Sequence, residues 1–127
     1  MVERDTSQRR AIRQVFRETD RPLSTDEVLK AAQKLKPNIG IATVYRTLKL
    51  LIDCKWLATV RLPGEPPRFE VADKPHHHHF HCRLCGRAFE VPGSDDLIRT
   101  LTPDGFVVES HDLVLYGLCS SCSGKRG

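Results

Sequence analysis

Two Cys-x-x-Cys pairs, Cys82/Cys85 and Cys119/Cys122, constrain this chain more than any other feature in it. Each such turn aims two sulfurs at one point, so two pairs can close a tetrahedral zinc site. Four thiolates leave no open coordination position, which makes a site of this kind structural. A run of imidazoles, His76-His77-His78-His79, stands directly before the first pair, with His81 one residue further on. With the thiolates committed to zinc, the histidines must serve something else, and a second, exchangeable metal is the natural candidate.

At 127 residues the chain is one or two small domains. A domain of about 50–75 residues is marginal on its own core, so a structural metal or a dimer interface would help it. No apolar run approaches the roughly 20 residues needed to span a membrane, and the charged N-terminus has no signal-peptide hydrophobic region. The expectation is a cytoplasmic chain with no membrane partner. Thiols stay reduced there, and Cys-x-x-Cys pairs bind metal more often than they form disulfides. The net charge of +4 is uneven: residues 1–75 carry 15 Lys+Arg against 10 Asp+Glu, and residues 76–127 carry 5 against 6. The first part can face a polyanion, and the second has no electrostatic reason to.

The apolar pattern divides the chain the same way. Ala11, Ile12, Val15 and Phe16 form a helical stripe over Ser7–Thr19, broken by Asp20-Arg21-Pro22. Ser24, with Glu27 three residues on, is a capping box for a second helix with Val28, Leu29, Ala32 and Leu35 inward. After the turn 36–40, a third helix runs over Ile41–Asp53 with Val44, Leu48, Leu51 and Ile52 inward and Cys54, near its end, as a small core residue or, alternatively, a reactive thiol. The period then changes to that of strands: Trp56–Leu62, a turn at Pro63-Gly64-Glu65-Pro66, and a return over Arg68–Val71. Three helices followed by a hairpin is the winged-helix order. The reading is therefore α+β: an N-terminal winged helix-turn-helix domain over 1–71, a linker over 72–75, and a small α/β domain over 76–127. The second domain comprises a strand His77–Cys82, a strand Arg87–Val91, a helix near Ser94–Leu101, a strand Phe106–Tyr116 and a flexible tail.

On the third helix the inward stripe leaves Thr43, Tyr45, Arg46 and Lys49 facing outward. A helix of this sort can enter the major groove, where Arg reads guanine and Thr or Tyr touches a thymine methyl or a phosphate. Arg4, Arg9, Arg10 and Arg61 would flank it as phosphate contacts. A solvated polar face on a small helical core is the plain alternative. In the histidine strand, side chains alternate faces, so His77 and His79 point one way and His76 and His78 the other. One run can thus feed two metal sites.

With these parts in order, the chain resembles the ferric uptake regulator family of metal-dependent repressors. The resemblance covers nearly the whole chain. It lies in Ile39-Gly40-Ile41-Ala42-Thr43-Val44-Tyr45-Arg46-Thr47-Leu48, in Arg68-Phe69-Glu70, in His76–His79 before Cys82-x-x-Cys85-Gly86, and in His111-x-x-x-x-Tyr116-Gly117-x-Cys119. It implies that the second domain dimerises and that homodimers bind palindromic operators on double-stranded DNA when metal is bound. By position, it places Tyr45 and Arg46 at the DNA and Cys82, Cys85, Cys119 and Cys122 around structural Zn2+. Glu70, His77, His79 and Glu90 match a regulatory site between the domains. His76, His78 and His111 match a second site, whose carboxylate would come from Asp95 or Asp96; these two serve equally well as helix caps. A metal held by Glu70 with His77, His79 and Glu90 would bridge the linker and fix the angle of the winged helix.

Pro22 stands where many members carry a histidine of the interdomain site, and Pro cannot ligate metal. The cysteine that zinc-sensing members often have near the end of the wing is missing at Glu70-Val71. His78 replaces a common aspartate, which suits zinc or nickel, while the hard Glu ligands leave iron and manganese open. The expected regulatory metal is Fe2+ or Zn2+, with Mn2+ or Ni2+ open. The rival readings are a peroxide- or manganese-responsive member of the family and a zinc-ribbon interaction module without sensing. An enzyme acting on a small organic substrate is not expected: there is no His-Glu-x-x-His helix and no serine elbow. His81 has no matched role and reads as a surface or hydrogen-bonded side chain.

Overall fold

The computed structural model describes residues 6–74, 77–93 and 95–124. The chain divides into two compact units, Met1–Asp73 and Lys74–Gly127.

The first unit is built around helices α1 (Ser7–Glu18), α2 (Thr25–Leu35) and α3 (Ile41–Asp53). Each begins where its sequence says it should. Thr6 caps α1 by accepting from the Arg9 N–H at 3.1 Å. The Ser24–Glu27 box is closed in both directions, at 3.2 and 3.1 Å, so two otherwise orphaned donors of α2 are satisfied. Gly40 caps α3 through its backbone alone. Ala11, Ile12, Val15 and Phe16 of α1 pack with Val28 and Ala32 of α2 and Val44, Leu48 and Leu51 of α3 in one core. Leu35, expected inward, is 40 % exposed at the last turn of α2, and Cys54 lies in the exposed cap of α3 rather than in the core. In both cases the helix ends before its stripe reaches a neighbour.

Strands β1 (Leu23–Ser24), β2 (Leu57–Val60) and β3 (Arg68–Val71) form a sheet in the order β1-β3-β2. β2 and β3 are the expected hairpin, antiparallel with Ala58 opposite Glu70. β2 is shorter than the Trp56–Leu62 expectation. In the loop between β2 and β3, the Glu65 N–H donates to the Leu62 carbonyl at 3.1 Å, with Pro63 and Gly64 between them. Gly64 has φ +75°. Proline followed by a left-handed glycine is the type II turn requirement, so the tip of the wing is set by two residues. The sequence gives no sign of β1: two residues carry no period, and the strand exists because Leu23 and Ser24 pair with Phe69 and Arg68.

The second unit contains β4 (His77–Cys82), β5 (Ala88–Pro92), α4 (Asp95–Leu101), β6 (Val114–Gly117) and the short α5 (Ser120–Ser123). The sheet order is β5-β4-β6, antiparallel between β4 and β5 and parallel between β4 and β6. The histidine strand is therefore central. Gly117 allows the close approach of β6, since a Cβ there would lie 3.3 Å from the Phe80 ring. The expectation of a strand over Phe106–Tyr116 is corrected: only Val114–Gly117 joins a ladder, and Phe106 and Val107 are 70 % and 86 % exposed. Apolar alternation makes a strand only where a neighbour offers a free edge, and β4 offers its edge to residues 114–117 alone. Ser123, expected in the flexible tail, instead ends α5, and residues 125–127 of that tail lie outside the described residues.

Candidate metal centre and nucleic-acid interface

Two short-range turns converge in the second unit. After β4, the Gly86 N–H closes back on the Cys82 carbonyl at 2.9 Å, with Gly86 at φ +78°. This left-handed residue turns the chain directly after Cys85, a place that disfavours any side chain. At the other end Cys119 caps α5, the Ser123 N–H returns to its carbonyl at 2.8 Å, and Cys122 is buried within the helix. The Arg83 N–H donates to the Gly117 carbonyl at 2.8 Å and ties the two turns together.

The four sulfurs of Cys82, Cys85, Cys119 and Cys122 consequently lie within 4.8 Å of one another, with Cys85 and Cys119 Sγ 3.9 Å apart. Sulfurs about 2.3 Å from a tetrahedral zinc are about 3.8 Å apart, so the cluster has the dimensions of a four-thiolate zinc site. Its electrostatics agree. The backbone N–H of Cys85 is the largest influence on Cys82, whose thiol is pulled down to about 5. The Cys82 sulfur also accepts from the Cys119 N–H at 3.4 Å. The Cys122 N–H is the main cause that holds Cys119 below the ordinary thiol value. Burial, and then the neighbouring thiols, push Cys122 up to about 12. The backbone thus favours charge on Cys82 and Cys119, burial and then the neighbouring thiols oppose it on Cys122, and a dication would stabilise all four thiolates together.

The histidines divide by face. His78 is 4 % exposed, and its ring lies 5.3 Å from that of His111, tilted by 55°. His77 and His79, half-buried on the opposite face, have ring centroids 4.8 Å apart. Glu90 of β5 is the direct partner of His79 in the ladder, and residues opposite one another in a ladder share a face. His77, His79 and Glu90 are therefore gathered on one side of the second unit. Glu70, on β3 of the first unit, is 5 % exposed. His81 packs edge-on against Tyr116, with ring centroids 6.0 Å apart. Tyr116 also carries the Arg83 guanidinium 4.9 Å from its ring centre. Arg4, His76 and the side chain of Asp95 lie outside the described residues. Asp96 is exposed and pairs with Arg99 at 3.5 Å.

On α3, Tyr45 is 60 % exposed. Arg46 is exposed too and donates to the Thr43 hydroxyl at 3.3 Å. Arg9, Arg46, Lys49, Leu50 and Asp53 line a cavity of about 290 Å³ between α1 and α3. Three cations against one carboxylate make this the basic face of the helix pair. One contact at these residues was not read from the sequence: Lys74 forms an ion pair with Glu90. A separation of 16 residues leaves no local pattern to reveal it; only the β4–β5 register brings the two together.

Fold and site together define an α+β metalloprotein in which a winged helix-turn-helix unit precedes a unit with a four-cysteine zinc site. The family model of the ferric uptake regulator family matches residues 3–116. The ferric uptake regulation protein of Bordetella parapertussis is 36 % identical over 125 residues, spanning 95 % of this chain and 90 % of that protein. The peroxide operon regulator of Bacillus subtilis is 30 % identical over 126 residues, spanning 97 % and 86 %. Among solved structures, a zinc-bound manganese uptake regulator is similar with a TM-score of 0.82 at 29 % identity, covering 92 % of this chain and 91 % of that one. The chain belongs to the ferric uptake regulator family. No helix among the described residues is long and apolar enough to cross a membrane.

Proposed function

We propose that this chain is a metal-dependent, DNA-binding transcriptional repressor and not an enzyme. It works in the cytoplasm as a homodimer on palindromic operators. Residues 1–71 act as the DNA-binding domain, 72–75 as the linker and 76–127 as the dimerisation domain. Zinc is held by the four cysteines. The regulatory metal is Fe2+ or Zn2+, bound by Glu70, His77, His79 and Glu90. When bound, it supplies a divalent charge that two carboxylates and two imidazoles can share. His76, His78 and His111 with Asp95 form a second site, and Thr43, Tyr45, Arg46 and Arg4 meet DNA.

The observation that carries this reading is the gathering of His77, His79 and Glu90 on one face of a sheet whose central strand begins directly after the linker. Glu70 ends the wing on the other side of that linker, so a shared ligand set would tie residues 71–76 closed. The reading helices of two protomers would then be held about 34 Å apart, the spacing of successive major grooves. Full switching of such an equilibrium, from 1:99 to 99:1, takes roughly 5.5 kcal/mol of preferential binding to the closed form. A manganese-responsive member is the second reading, supported by the similarity to the manganese uptake regulator. The peroxide-responsive form fits less well, since Glu70 and Glu90 stand where that form expects aspartates.

The test is operator binding titrated with buffered Fe(II), Mn(II), Zn(II) and Ni(II) at fixed salt, because phosphate contacts make affinity salt-dependent. Wild-type protein binds when its metal is added. His77→Ala keeps its fold and zinc but loses the metal response. Retention of the response by His77→Ala, with an unchanged metal midpoint, would overturn the assignment.

A further inference from the structure

We propose that Lys74 is a tethered cation that competes with the regulatory metal for Glu90 and so sets the concentration at which the site fills. The inference rests on the site proposed above, and every residue it uses lies in the second unit. The Lys74 ammonium is paired with a Glu90 carboxylate oxygen, and both side chains are 21 % exposed. Glu90 stands directly opposite His79 in the ladder, and the His77 ring is 4.8 Å from that of His79. The ammonium is thus placed on the carboxylate that this unit contributes beside its half-buried imidazoles His77 and His79.

An oxygen that accepts an ammonium cannot at the same time give that lone pair to a divalent ion, and two cations at one carboxylate repel each other. Filling the site therefore requires the pair to open. Lysine suits such a role: its charge is compact and its four-carbon stem lets it swing into water without leaving a buried orphan. Its place is also telling. Lys74 lies three residues before His77, within the stretch that joins the winged helix to the sheet. Release of Glu90 would then loosen one tether of that stretch in the same step that recruits the carboxylate. The competition acts as a threshold: the site discriminates against low metal without any change in its ligands.

The test uses the full chain with its structural zinc bound and Mn(II) as probe, read by competition with a fluorescent chelator at fixed salt. Lys74→Gln should tighten Mn(II) binding about five- to tenfold, the scale of a partly exposed ion pair together with the relieved repulsion. Lys74→Arg, which keeps the charge, and Lys34→Gln, which removes a charge on exposed α2, should both stay within about twofold of wild type. Unchanged or weaker binding by Lys74→Gln, with Mn(II) binding still abolished by His77→Ala, would overturn the competition and leave the site standing. Wild-type Mn(II) affinity in His77→Ala would overturn the site and the competition together. Equal tightening by Lys34→Gln would reduce the effect to net charge and overturn the specific role of Lys74.

Discussion

The two units of this chain hold themselves together by different means. Among the described residues, the buried apolar side chains of the first unit run from Ala11 to Phe69 and include Ile12, Phe16, Val28, Val44, Leu48 and Leu51. Those of the second are Cys82, Ala88 and Cys122, and two of these three are members of the sulfur cluster. The imbalance reverses at the surface, where the second unit exposes Leu84, Leu97, Leu101, Phe106, Val107, Val108, Leu115 and Tyr116. The first unit is thus held by one apolar core shared by its three helices and its small sheet. The second has a sheet with little apolar packing behind it, and a zinc ion on its four cysteines would supply the support that so small a unit needs. The lesson is that the same chain can fold one part by burial and another by coordination.

The largest expected effect breaks this contrast most directly. Cys82→Ser, or removal of zinc by a strong chelator, should abolish cooperative folding of the second unit, because structural zinc contributes on the order of 10 kcal/mol to sites of this kind. The first unit should keep its helices. Circular dichroism with residue-resolved hydrogen exchange separates the two, and joint loss of protection in both units would show that they are not independent. The complementary change is Ile12→Ala, which should cost about 2–5 kcal/mol in the first unit while leaving zinc content at one equivalent per chain. Chemical denaturation and metal analysis check both halves of that statement.

Smaller effects sharpen the functional side of the comparison. Arg46→Ala should weaken operator binding by about 1–3 kcal/mol without altering either metal stoichiometry, measured by fluorescence anisotropy across a salt series. The smallest effect concerns acid stability. Burial works to raise the Glu27 carboxyl, but the Arg21 guanidinium and the Ser24 N–H outweigh it and hold the group below its ordinary 4.5. The Arg21–Glu27 contact is 2.7 Å. A depressed carboxylate contributes stability above its unfolded value and loses it as pH falls through the folded one. Glu27→Gln should therefore flatten the stability profile of the first unit below about pH 4.5, by less than about 1 kcal/mol, in pH-dependent melts.

What could be read in advance follows the range of the interactions involved. The helices α1, α2 and α3 were legible because their stripes and caps are local: Ser24 and Glu27 act across three residues, and Val44, Leu48 and Leu51 repeat at helical spacing. The wing was legible from Pro63-Gly64, which dictates its turn. The strand over His77–Cys82 was legible from the Cys-x-x-Cys turn that ends it. Less was legible where a second segment decides. Leu23-Ser24 became a strand only by finding β3, residues 106–113 failed to become one for want of a free edge, and Leu35 and Cys54 ended up exposed where a helix ran out. Lys74 on Glu90 belongs with these, because neither residue announces the other.

Residue order alone determined the local period of each element, the turns that only proline and glycine permit, and the presence of thiol pairs whose spacing fits one ion. These depend on neighbours a few positions apart, whose separation the covalent chain already limits. The tertiary structure alone decided that the two thiol pairs meet, that His79 faces Glu90 while His78 turns toward His111, and that a lysine occupies that carboxylate. Those outcomes depend on sheet register and on which edges remain open, and both are settled only when distant segments compete for the same partner.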